Sequence, residues 1–168
     1  NRKAWIATDG AGAYEVLTEL AGNNPKGEAF VVVRADQTRY AFDKQGALLS
    51  ITDANGVTMT FAYQGGKLRS IQDDQGHTIT FEVQGSQLVR ITKTSAGSNA
   101  VTTLAEYGYT RSQLTSVTDR MGHVTRYRYD NQGMLIGVSL PYQQTVNGQA
   151  QTWEQRELSF TYERIQWD

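Results

Sequence analysis

Apolar residues in this chain recur at every second position, in short runs interrupted by Gly and Asp. Thr60-Phe61-Ala62-Tyr63 and Thr125-Arg126-Tyr127-Arg128-Tyr129 carry their rings two apart. That spacing puts side chains on one face of a half-buried strand. A second apolar pair comes after each ring pair and a turn, as Leu68 and Ile71 come after Phe61 and Tyr63. Leu and Ile three apart have opposite parity on a straight strand. Two readings stay open: a bulge between them, or a sheet partly covered on both faces.

The pattern repeats, and repeats decide the fold. Leu48, Ile51, Asp53 and Gly56 are spaced as are Leu68, Ile71, Asp73 and Gly76, and again as Leu114, Val117, Asp119 and Gly122. The rings Phe61/Tyr63, Phe81 (with Val83) and Tyr127/Tyr129 lie five and seven residues beyond these glycines. Partial copies keep Leu88 and Ile91 but place Lys93 at the Asp position, or keep Leu135 and Val138 and then run into Leu140-Pro141. Gly65, Gly85 and Gly133 mark a second set of turns, where Gly can take positive φ and Asp can bond its own backbone. One unit is thus two strands and two turns, a hairpin. The turn after Tyr129 holds one residue more than that after Tyr63, so loops are expected to differ by one.

These spacings predict an all-β, antiparallel sheet of tandem hairpins. The expected repeat core is Phe42, Leu48, Ile51, Phe61, Tyr63, Leu68, Ile71, Phe81, Leu88, Ile91, Tyr109, Leu114, Val117, Tyr127, Tyr129 and Leu135, with rings stacked from strand to strand. The expected turn residues are Asp53, Gly56, Asp73, Gly76, Asp119, Gly122, Asp130 and Gly133. Residues 1–30 read as an irregular or strand-forming lead-in, with a short helix opened by Asp9 as the alternative. Residues 31–140 hold the repeats. Residues 141–168 read as a loop over Gln143–Ala150 and a last strand ending in Phe160-Thr161-Tyr162. The polar run Thr94–Asn99 reads as a surface loop.

Composition narrows the function. Sixteen basic and 17 acidic residues leave a net charge of -1, with no basic field to hold nucleic acid or an anionic membrane. No apolar run reaches the roughly 18 residues of a spanning helix. Cysteine is absent, which excludes thiol catalysis, disulfides and thiolate metal sites. The recurrent Asp53, Asp73 and Asp119 supply about one carboxylate per repeat, short of the six to eight oxygens of a calcium site. Turn chemistry explains them without metal. His77 and His123 come directly after the repeat Gly at equivalent positions, but two imidazoles without a third ligand are weak for zinc. They read as surface strand residues. No nucleophile elbow, phosphate loop or dinucleotide fingerprint is present, so neither an enzyme nor a cofactor is expected. The rings could stack on sugars, but their regular period favours a packing role. Trp5, Trp153 and Trp167 lie outside the repeats and are the better candidates for an exposed contact. A chain opening on Asn1 is expected to be a piece of a longer protein.

The segments Tyr40-Ala41-Phe42-Asp43-Lys44-Gln45-Gly46-Ala47-Leu48 and Arg126-Tyr127-Arg128-Tyr129-Asp130-Asn131-Gln132-Gly133-Met134-Leu135 resemble the YD-repeat, or RHS-repeat, family over roughly residues 29 to 140. The Tyr129-Asp130 pair carries the family's short name, with Phe42-Asp43 as a variant. The resemblance implies part of a larger, spiralling antiparallel sheet. In full-length members such sheets form hollow shells that hold the toxic C-terminal domain of bacterial polymorphic toxins and insecticidal toxin complexes. Similar repeats occur in large surface proteins and cell-adhesion receptors. The resemblance therefore implies a structural segment of a large exported bacterial protein, secreted or at the cell surface, partnered by other repeats or domains of its parent. The alternative is a binding module for a glycan or a cell-surface protein.

Overall fold

A computed structural model describes residues 3–6, 15–21, 24–98, 100–146 and 149–162, with side chains described outside 142–155. Every element among them is a strand, and the fourteen strands are hydrogen-bonded in sequence order as one antiparallel sheet. Two compact units make up the chain.

The first unit, residues 1–80 with 93–101, begins with β1 (Ala4–Ile6), β2 (Val16–Glu19), β3 (Phe30–Val33) and β4 (Arg39–Phe42). It continues through β5 (Leu48–Thr52), β6 (Thr58–Gln64) and β7 (Lys67–Asp73) into the start of β8 (Thr78–Gln84). Trp5 stands opposite Leu17, so the lead-in is a strand pair where it is described. Tyr14 and the rest of 7–14 lie outside the described residues. Leu17, which the helix alternative needed, is a strand residue of β2. The buried apolar residues among those described are small: Ala29, Val31 and Ala41. Beside them Glu28 is buried, with both carboxylate oxygens held by Arg39 at 3.0 and 2.7 Å. The Arg39 hydrogen bond outweighs desolvation and lowers the Glu28 pKa.

The second unit comprises residues 81–92 with 102–168. It holds most of β9 (Gln87–Thr94) and β10 (Val101–Thr110), then β11 (Gln113–Asp119), β12 (Val124–Tyr129), β13 (Leu135–Val146) and β14 (Gln149–Ser159). β13 and β14 are the longest strands. The polar run from Gln143, expected as a loop, instead continues the ladder: Gln143 faces Trp153, and Val146 faces Gln149. Without an Asp-x-x-Gly at Leu140-Pro141 nothing turns the chain, and backbone pairing carries polar residues as readily as apolar ones. The same loss at Lys93 accompanies a β10 of 10 residues. The Ser95–Ser98 turn comes after β9, closed by Ser98 N–H on the Ser95 carbonyl, and it is exposed as expected.

Candidate functional site

The repeated hairpin is the site, because its residues recur and join one strand pair to the next. The parity of Leu68 and Ile71 has a direct cause. Opposite Ala62 stands Ser70, but opposite Tyr63 stands Leu68, so Arg69 is an extra residue. The same skip occurs at Leu49, Thr115 and Ile136. Each of these hairpins therefore carries a bulge, which brings its two aliphatic residues to one face. The bulge makes the ladder regular. Phe61 faces Ile71 and Tyr63 faces Leu68; Tyr107 faces Val117 and Tyr109 faces Leu114; Tyr127 faces Val138 and Tyr129 faces Leu135. In the first hairpin of the series Tyr40 faces Ile51 and Phe42 faces Leu48.

Two expectations are corrected by this geometry. The direct partner of each of these rings is aliphatic, so within a hairpin an aromatic strand alternates with an aliphatic one rather than ring stacking on ring. None of the sixteen expected core residues is buried: fifteen are half-buried and Tyr63 is 38% exposed. Each of these side chains keeps part of its surface exposed, and among the described residues no large side chain is fully buried.

Sequence reasoning gave Tyr and Phe the same role at the second ring position. The hydroxyl separates them. Tyr109 Oη donates to the Leu88 carbonyl at 2.9 Å, Tyr129 Oη to that of Leu114 at 2.9 Å, and Tyr162 Oη to that of Leu135 at 2.8 Å. In each case the acceptor is the first leucine of the preceding hairpin. The tyrosine is a clasp between successive repeats. The leucine-to-tyrosine spacings of 21, 15 and 27 residues do not reveal the clasp, since Tyr63 stands at the same remove from Leu48 as Tyr129 from Leu114. Tyr63 makes no such bond among the described residues.

The turns are equally uniform. Asp53 accepts at one carboxylate oxygen from the backbone N–H of Asn55 and Val57, at 2.8 and 2.9 Å. Its own N–H donates to the Val57 carbonyl, and Gly56 N–H donates back to the Asp53 carbonyl. Asp43, Asp119 and Asp130 repeat the whole set. Asp73 repeats its bond to the fifth residue of the loop, His77. Glycines 46, 56, 76, 122 and 133 sit at φ between +84 and +89°, where a Cβ is strained. Thus the Tyr-Asp-x-x-Gly and Asp-x-x-Gly patterns build one five-residue loop. Arg34-Ala35-Asp36-Gln37 closes the same backbone bonds with neither Asp nor Gly at the key positions, Gln37 taking φ +65°. Sequence could not find that copy. The other turn class has two residues: Gly65-Gly66, Gly85-Ser86 and Arg111-Ser112, with positive φ at the first residue of each. The loops were expected to differ by one residue; they hold two and five, because Gln64 and Lys67 extend the pairing beyond Tyr63 and Leu68.

His77 and His123 are more than surface strand residues. Their Nδ1 atoms lie 2.8 and 3.0 Å from the second carboxylate oxygens of Asp73 and Asp119. Desolvation opposes ionisation of Asp73, but hydrogen bonds from the His77 side chain and backbone outweigh it and lower the pKa. For Asp119 the His123 backbone bond is the main lowering cause. Trp5 is about half exposed; the Trp153 side chain and Trp167 lie outside the described residues.

Bulge, clasp and Asp loop together make a hairpin built to be succeeded by another. The sequence matches the teneurin YD-shell family over residues 30–168. The chain belongs to that family. Its hairpins are YD-shell repeats, and the family match extends past residue 140, where the sequence pattern had faded. Among solved structures, the crystal structure of TcdB2-TccC3-Cdc42 aligns with 94% of this chain and 10% of that one, at 15% identity and a TM-score of 0.46. A porin-like protein from Bacteroides uniformis aligns over 88% of this chain and 83% of its own, at 16% identity and a TM-score of 0.39. The chain thus spans a tenth of the first of these. No curated protein sequence matches it.

Proposed function

We propose that this chain is a stretch of shell wall in a large exported protein, where its repeats help to enclose or scaffold other domains of the same polypeptide. The carrying observation is the tyrosine clasp at Tyr109, Tyr129 and Tyr162, which ties three successive repeats each to its predecessor and does nothing for an isolated hairpin. Half-buried ring faces and the edge positions of β1 and β14 fit a wall that neighbouring repeats complete. Secretion or surface display is part of the same proposal. The test is backbone hydrogen exchange at β14 in the isolated chain and in its parent. A wall segment predicts amides of the outer edge of β14 that exchange far more slowly in the parent. Equal rates in both would overturn the reading.

A further inference from the structure

The face of the second unit opposite the rings carries a different chemistry. Bulge and pleat place Gly108, Ser116, Arg126, Ser139 and Glu157 in one row across five strands, each directly opposite the next. Arg128 stands one step along, opposite Gly137. Because Gly137 lacks a side chain, the Arg128 guanidinium lies down on it: a Cβ there would meet Nη2 at 2.7 Å. Glu157 holds that guanidinium by an ion pair. The small residues beside it leave a cavity of about 460 Å³, floored by Ser116, Gly137 and Ser139 and walled by Arg126, Arg128 and Glu157.

Among the described residues that line the cavity, charge does not balance. Two guanidiniums face one carboxylate, and that carboxylate is engaged by Arg128. Arg126 has no side-chain partner among the described residues. One positive charge, presented by a planar fork of donors, is left facing the cavity between two serines. A fork suits a carboxylate, and a flanking hydroxyl suits a hydroxyl. We infer that this cavity binds a small polyhydroxylated carboxylate, a sugar acid, with Arg126 gripping its carboxylate and Ser116 meeting one of its hydroxyl groups. The site draws on the face away from the rings and stands independently of the shell role.

The probe is glucuronate, tracked by amide chemical shifts of the whole chain, with glucose and acetate as companions. Saturable shifts confined to Ser116, Arg126, Gly137 and Ser139, with a millimolar dissociation constant, are expected. Glucose should give none, and acetate should bind several-fold more weakly. Arg126→Ala should weaken glucuronate at least about tenfold, with an unchanged unfolding midpoint, since the side chain is exposed. No saturable shift with glucuronate, equal affinity for acetate, or unaltered binding by Arg126→Ala would each overturn the assignment. None of these outcomes bears on hydrogen exchange at β14, so the two proposals fail separately.

Discussion

At single positions, the loops depend on one carboxylate oxygen serving two backbone donors. Asp53→Ala leaves the N–H groups of Asn55 and Val57 to water and should cost about 1 kcal/mol in urea unfolding. Asp73 and Asp119 add a pH dependence. Their folded pKa values are lowered from the ordinary 3.8. Their contribution is therefore complete above that unfolded value and is lost as pH falls through the folded one. Stability should decline as pH drops below about 4, the ordinary carboxylate range, and Asp73→Asn with Asp119→Asn should flatten that limb. An unchanged slope would mean these carboxylates are not the acid-sensitive groups. Arg111 is a local misfit. It holds φ +59° where Gly65 and Gly85 stand in sister turns, a conformation costing a residue with a Cβ roughly 1 kcal/mol. Arg111→Gly should raise stability by about that amount, and Gly65→Ala should lower it.

Among elements, the bulge governs what a ring is worth. It sets Phe61 against Ile71 and Tyr63 against Leu68 on one face, so a half-buried ring still has a defined partner. A fully buried Phe would lose roughly 3–5 kcal/mol on truncation, whereas half-burial brings Phe61→Ala down to about 2 kcal/mol. Thermal unfolding measures it, and a loss near zero would make the ring a free platform. Strand type, hairpin period and turn positions were legible because period-2 rings, Gly and Asp act locally. The bulge was legible only as an alternative, since opposite parity at Leu68 and Ile71 fits two geometries. The long β13–β14 pair was illegible because polar strand residues such as Gln143 and Thr145 carry no apolar alternation. The expected full core failed for another reason: sequence reports which residues share a face but not whether anything lies over it.

For the whole molecule, stability is a sum of hairpin terms and couplings between neighbours, as in other repeat arrays. Tyr109 and Tyr129 couple hairpins that are adjacent in the chain, through the carbonyls of Leu88 and Leu114. These clasps were the least legible part of the site, since a Tyr at a Phe-tolerant ring position signals a hydroxyl without naming its acceptor. The shell-wall role rests on that coupling. The decisive measurement is urea unfolding of Tyr109→Phe/Tyr129→Phe beside Tyr63→Phe. Each substitution removes only a hydroxyl. If the clasps couple the repeats, the double variant loses about 2 kcal/mol, roughly 1 for each clasp, while Tyr63→Phe stays at the wild-type value. Equal stability of the double variant and Tyr63→Phe would contradict it.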